Sequence, residues 1–235
     1  FVVSPELSVD LYYPAKDKGE RVPMDRSKGP APLVLFTPDA EEGPYKLCEW
    51  MAQELSARGF VTAVLPPKAG GEEPARLMAV REALLKRNAD KNPAWKGAVN
   101  PARVIVVGHG SGAAAALAAG ADATKVAGVI LLSPPSPLKP PDKYKGATLI
   151  VGGEEGQEAA TKTYGDCRKP RYLYSVAGLD QKFMPPEKAG KAFGIVWAWL
   201  SWRYFDRDEL KSMVSGQDAA GQLKSGELKL FKVDE

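Results

Sequence analysis

Residues 104–120, VIVVGHGSGAAAALAAG, constrain the fold more than any other stretch. The run 104–107 is entirely β-branched and has no polar face. A strand of that kind is covered on both sides, which is the habit of parallel sheets. It passes through a glycine-rich turn into residues 111–119, where alanine, the strongest helix former, dominates. A doubly buried strand feeding straight into a helix is half of a βαβ unit.

The same alternation runs along the chain. Residues 8–13, 33–36, 60–65, 127–132, 148–151 and 172–176 are predicted strands, the last of them closing the series. Residues 14–32 are polar and rich in turn formers, which predicts a loop. A helix over 45–58 places Leu47, Trp50, Met51 and Leu55 at helical spacing, and Gly59 ends it. A second, over 73–88, carries Leu77, Val80, Leu84 and Leu85. A short helix falls near 157–163. A long one over 187–205 carries Phe193, Val196, Trp197, Leu200 and Tyr204, with Trp199 and Trp202 on one side and Trp197 elsewhere. The fold class is therefore α/β, a mostly parallel central sheet with helices on both faces. With 44% hydrophobic residues among 235, one domain over 1–207 has a full core. Residues 208–235 form a charged extension whose LKLFKVDE adds a strand or docks on a partner.

Several function classes drop out. A net charge of +3 is too small to argue for nucleic acid. The longest apolar runs are too short to span a bilayer. The two cysteines, Cys48 and Cys167, fit neither a disulfide framework nor zinc spacing, and read as free thiols. The glycine turn fails the dinucleotide pattern at Ala113, and no Gly-Lys-Ser follows it as a phosphate loop requires. The carboxylates of GGEEGQE and AGGEEP read as exposed loop residues. No cofactor or metal is expected. The proline-rich segment 133–143 reads as a rigid loop. A chain opening on Phe1 fits either removal of a presequence or a start outside the chain, so export and organelle import both stay open.

A strand–turn–helix elbow holds a nucleophile at a strained point between two glycines. With the strand ending at Val107, Gly108 and Gly112 take the flanking positions and Gly110 takes the strained one. Ser111 comes one residue late. For it to be the nucleophile, His109 and Ala113 would have to flank it. Glycine at the strained point tolerates positive φ and has no reactive atom. The amides of residues 110–112, at a helix start, are suited to a carboxylate or phosphate. His109 is the chain's one histidine. It belongs to the turn itself, whereas a serine triad needs an imidazole opposite the nucleophile.

The segments PLVLFTPDAEEGPYKLCEWMAQELSARGFVTAVLPP, NPARVIVVGHGSGAAAALAAG, KVAGVILLSPPSP, ATLIVGGEEG, YSVAGLDQKFMPPE and IVWAWLSWRYFDRD, in that order, resemble the α/β-hydrolase superfamily. Within it, the chlorophyllase, polyester hydrolase and dienelactone hydrolase-like group is the nearest match. The resemblance covers residues 11–208. It implies a nucleophile at Gly110, an acid at Gly156 with Glu154 and Glu155 one or two places early, and a histidine at Gln181. None of the three positions carries the chemistry. The first oxyanion region reads TPDAEE, so Asp39 brings negative charge where donors are needed. Ser111 and Ala40 mark that former oxyanion region as the place for a ligand, and the proline-rich loop would border the cleft. The expected function is a non-catalytic pseudoenzyme, a structural or interaction subunit with protein partners in a larger assembly. Two alternatives stand beside it. One is a serine ester hydrolase using Ser111. The other is a non-hydrolysing binder of a hydrophobic ester, lipid or pigment in the former cleft, with which a plastid location would agree.

Overall fold

The computed structural model describes the chain except residues 6, 18, 21, 40–41, 67–71, 91–93, 123, 181 and 183–185, and the side chains of 42–44 and 186–188. The described residues form ten strands and seven α-helices. In chain order they are β1 (Val2–Ser4), β2 (Leu7–Ser8), β3 (Asp10–Tyr12), β4 (Ala31–Thr37), α1 (Glu42–Ala57), β5 (Val61–Val64), α2 (Glu73–Ala89), β6 (Val99–His109) and α3 (Gly112–Ala119). After these come β7 (Gly128–Leu132), β8 (Ala147–Gly152), α4 (Gln157–Asp166), β9 (Arg171–Val176), α5 (Pro186–Phe205), α6 (Lys211–Ser215), α7 (Gln217–Lys224) and β10 (Leu228–Asp234).

Strands β1 and β2 form a small hairpin of their own. The other eight form one sheet, ordered β10-β9-β8-β7-β6-β4-β5-β3. Strands β4 to β9 run parallel, and β3 and β10 close the two edges antiparallel. The chain is thus a mixed α/β fold with a mostly parallel central sheet flanked by helices.

Successive side chains of a strand point to opposite faces, and the core divides accordingly. Val34, Phe36, Ile105 and Val107 pack on one face with Leu47 and Met51 of α1 and Val196 and Trp199 of α5. Leu33, Leu35, Val104 and Val106 pack on the other with Leu77 of α2 and Ala113 and Ala116 of α3. Both faces of β4 are wholly buried, as a strand without a polar side requires.

Strand β6 is longer than its β-branched run predicts. It starts at Val99 and passes through Pro101, with exposed residues in its first half. The last strand is β10, not 172–176, and residues 228–234 of the extension lie in the same sheet. Arg171 fastens this edge. Its guanidinium donates to the carbonyls of Tyr164, Gly165 and Cys167 and to Asp234 of β10 at 3.0 Å. Bonds from Lys169 and Arg171 in turn hold the Asp234 carboxyl below the usual carboxylate range. Removing the guanidinium frees three backbone carbonyls as well as the Asp234 carboxylate. Arg171→Ala is therefore expected to speed amide exchange in β10 at least about tenfold, leaving β4 and β7 unchanged.

Candidate functional site at the switch point

Chain order reverses between β4 and β6, because the chain goes from β4 to β5 on one side and returns to β6 on the other. In open α/β sheets the crevice outside the carboxyl ends of such strands is where ligands bind. Thr37 of β4 pairs in register with Gly108 of β6, so the two following loops leave the sheet side by side. One brings Asp39. The other brings Gly110 and Ser111.

The turn from β6 to α3 depends on its glycines. A Cβ on Gly108 would lie 2.3 Å from the Gly112 carbonyl oxygen, and one on Gly112 would lie 2.2 Å from the Thr37 carbonyl oxygen. Strand, turn and helix approach too closely for any side chain at either position. Gly110 has φ +58, the left-handed region. Its N–H donates to the Leu132 carbonyl at 2.9 Å, and its carbonyl accepts from Ala113 N–H at 3.1 Å.

The space above Gly110 is filled. A Cβ there would come 2.1 Å from Asp39 Oδ2. Ser111 Oγ donates to Asp39 Oδ1 at 2.6 Å, and Ser111 N–H donates to Asp39 Oδ2 at 3.3 Å. Asp39 therefore lies at the start of α3, where free amides and the helix dipole favour an anion. In an elbow of this kind, the N–H following the nucleophile is an oxyanion donor. Here that N–H belongs to Ser111 and is already held by a carboxylate. A developing negative charge would meet an existing one, the wrong sign for transition-state stabilisation.

Ser111 is exposed, and its hydroxyl proton points at Asp39. His109 is 1% exposed, turned into the protein rather than toward solvent. Burial pushes its pKa down to about 4, against the opposing pull of the Asp39 and Asp180 carboxylates. The imidazole is thus neutral at pH 7. The unfolded chain takes up this proton near pH 6.5 and the folded chain only near pH 4, so stability is lost as pH falls between those values. The loss is expected to reach about 3 kcal/mol. With one histidine in the chain, a single imidazole resonance followed by NMR reads the titration directly. His109→Leu should flatten the stability profile in that window.

The remaining positions lie on neighbouring loops. Gly156 precedes α4 at its N-cap and is buried, and a Cβ there would make only an ordinary 3.8 Å contact with the Pro134 carbonyl. Glu154 and Glu155 are exposed. Glu154 accepts from Gly178 N–H at 3.2 Å and lies 4.0 Å from Lys229. The loops after β8 and β9 touch, since a Cβ on Gly153 would come 1.9 Å from the Leu179 carbonyl oxygen. Ala40 and Gln181 lie outside the described residues.

The cysteines offer no substitute nucleophile. Burial first, then the Asp39 and Glu49 carboxylates, pushes the Cys48 thiol up. Burial raises Cys167 to about 11. Among the described residues no three His, Cys, Asp or Glu side chains gather as metal ligands, and no helix is long and apolar enough to cross a membrane.

Sequence reasoning reached Asp39 through its charge, but not its seat over Gly110. It missed Ser133, which follows β7 beside the elbow. This residue has φ +45, and its hydroxyl is fully buried without a hydrogen-bond partner among the described residues. Nothing in a serine's neighbours in sequence signals such a conformation. No protein-family model matches the chain, and no curated protein matches it either, so the functional reading rests on this geometry.

Proposed function

We propose that the chain is an α/β-hydrolase-fold pseudoenzyme: a non-catalytic structural or interaction subunit of a larger assembly, similar to the chlorophyllase and dienelactone hydrolase-like group. The elbow at the switch point and the strand–helix alternation support the fold. The loss of catalysis rests on one observation above the others. The position for a nucleophilic side chain is a glycine, and the space that side chain would occupy is filled by Asp39, which also takes the Ser111 amide.

One observation favours an ester hydrolase using Ser111: its exposed hydroxyl donates to a carboxylate at 2.6 Å. That pair has an acceptor for the proton but no imidazole, and its nearest oxyanion donor is engaged. A fluorophosphonate probe separates the two readings. The pseudoenzyme is expected to remain unlabelled. Covalent modification of Ser111, lost in Ser111→Ala, would make the chain a hydrolase.

A further inference from the structure

The carboxyl-terminal half of α5 crosses the amino-terminal ends of the central strands, at the opposite end of the sheet from the elbow. Tyr204 approaches Gly128 at the start of β7, and Arg103 of β6 donates to the Tyr204 carbonyl. Three buried donors gather here without an acceptor among the described residues: Trp199 Nε1, Arg203 Nε and the Tyr204 hydroxyl. Arg203 is their centre. Its guanidinium carbon lies 6.0 Å from the Tyr172 ring, 5.7 Å from Trp199 and 5.6 Å from Trp202.

The charges around it are unevenly answered. Lys169 and Arg171 pair with Asp234, and Lys211 pairs with Glu235 at 3.2 Å. Arg203 donates to the Tyr172 hydroxyl at 3.2 Å and pairs with no carboxylate among the described residues. A guanidinium walled by aromatic rings is poorly screened, so an anion reaching it gains more than it would at an open surface. A shallow groove, open to solvent, lies beside it, lined by Lys169, Pro170, Tyr172, Trp202, Arg203 and Glu235.

We propose that this groove binds a small aromatic carboxylate. The carboxylate would pair with Arg203, whose planar fork matches it. The ring would pack on the part of the Trp202 indole that Arg203, 5.6 Å from its centre, and Lys211, 5.2 Å from it, leave open. Glu235 on the wall favours a single negative charge over a phosphate dianion. A flat apolar body fits a groove whose other walls are Pro170 and aromatic rings.

The test is a titration of the full chain with 2-naphthoate, followed through the indole N–H resonances. Trp199 and Trp202 are assigned by Trp199→Phe and Trp202→Phe. Saturable shifts confined to those two indoles are expected. The neutral 2-naphthamide and inorganic phosphate should each bind at least about tenfold more weakly, since each forgoes either the ion pair or the stacked ring. Arg203→Met should weaken 2-naphthoate by a similar factor. Trp202→Ala should do the same, with circular dichroism to check that the variant stays folded, since Trp202 also packs on the core. Absence of saturable shifts, equal affinity for 2-naphthamide, or unchanged binding in folded Arg203→Met or Trp202→Ala would each overturn the proposal.

Discussion

Replacing Gly112 with alanine is expected to cost the protein more than about 4 kcal/mol, a large share of what holds a domain folded. The added methyl would sit 2.2 Å from the Thr37 carbonyl oxygen and 3.0 Å from that of Pro38. Neither atom can yield. Both belong to the end of a central strand: Thr37 is the last residue of β4 and pairs with Gly108 of β6, and Pro38 follows it directly. A flexible side chain would rotate aside, whereas backbone at the end of this central strand gives way only by disturbing the β4–β6 pairing. The melting temperature should fall by more than about 10 °C, or the variant should fail to accumulate as folded protein. Gly165→Ala is the control. That glycine lies in α4 with nothing within 4 Å of its added methyl, so its replacement should stabilise by up to about 1 kcal/mol.

Gly110→Ala is expected to destabilise by about 2–5 kcal/mol, for two separable reasons. A left-handed conformation costs a non-glycine residue about 1–2 kcal/mol, and overpacking costs about 1–3 kcal/mol. The first term is a property of the backbone and persists in any background. The second exists only because Asp39 occupies the space, with its Oδ2 2.1 Å from where the methyl would lie. Asp39→Gly removes the obstacle. Chemical denaturation of the wild type, both single variants and the double variant should therefore show a coupling of at least about 1 kcal/mol, the double variant being more stable than additivity allows. Strict additivity would mean that Asp39 does not press on the turn, and the plugged elbow would lose its physical basis.

Much of this was legible in the sequence. Strands buried on both faces announce themselves by having no polar side, so the predicted 33–36, 127–132 and 148–151 agree with β4, β7 and β8 apart from their ends. The long helix predicted at 187–205 is α5 to within one residue. Trp199 and Trp202 both meet the Tyr172 ring, as their spacing on one side implies. What escaped was structure held by distant contacts. The first half of β6 reads as loop because Asn100, Pro101 and Arg103 carry no strand pattern, yet Val99 pairs with Ala31 across the sheet. The hairpin of β1 and β2 is too short to show a period. At the site, the glycine spacing spoke for the turn, and the charge of Asp39 spoke against an oxyanion hole. That this carboxylate would fold over Gly110 depends on the β4–β6 register, which a linear reading does not contain. The Arg203 box was hidden for the same reason: Tyr172 and Lys169 join it from another part of the chain.

Turnover of short p-nitrophenyl esters by the purified chain decides whether nucleophilic chemistry survives at the elbow. The rate for the wild type should equal that for Ser111→Ala, and neither should exceed the uncatalysed reaction. Turnover by the wild type that Ser111→Ala abolishes would make the chain a hydrolase and Asp39 the partner of a working serine.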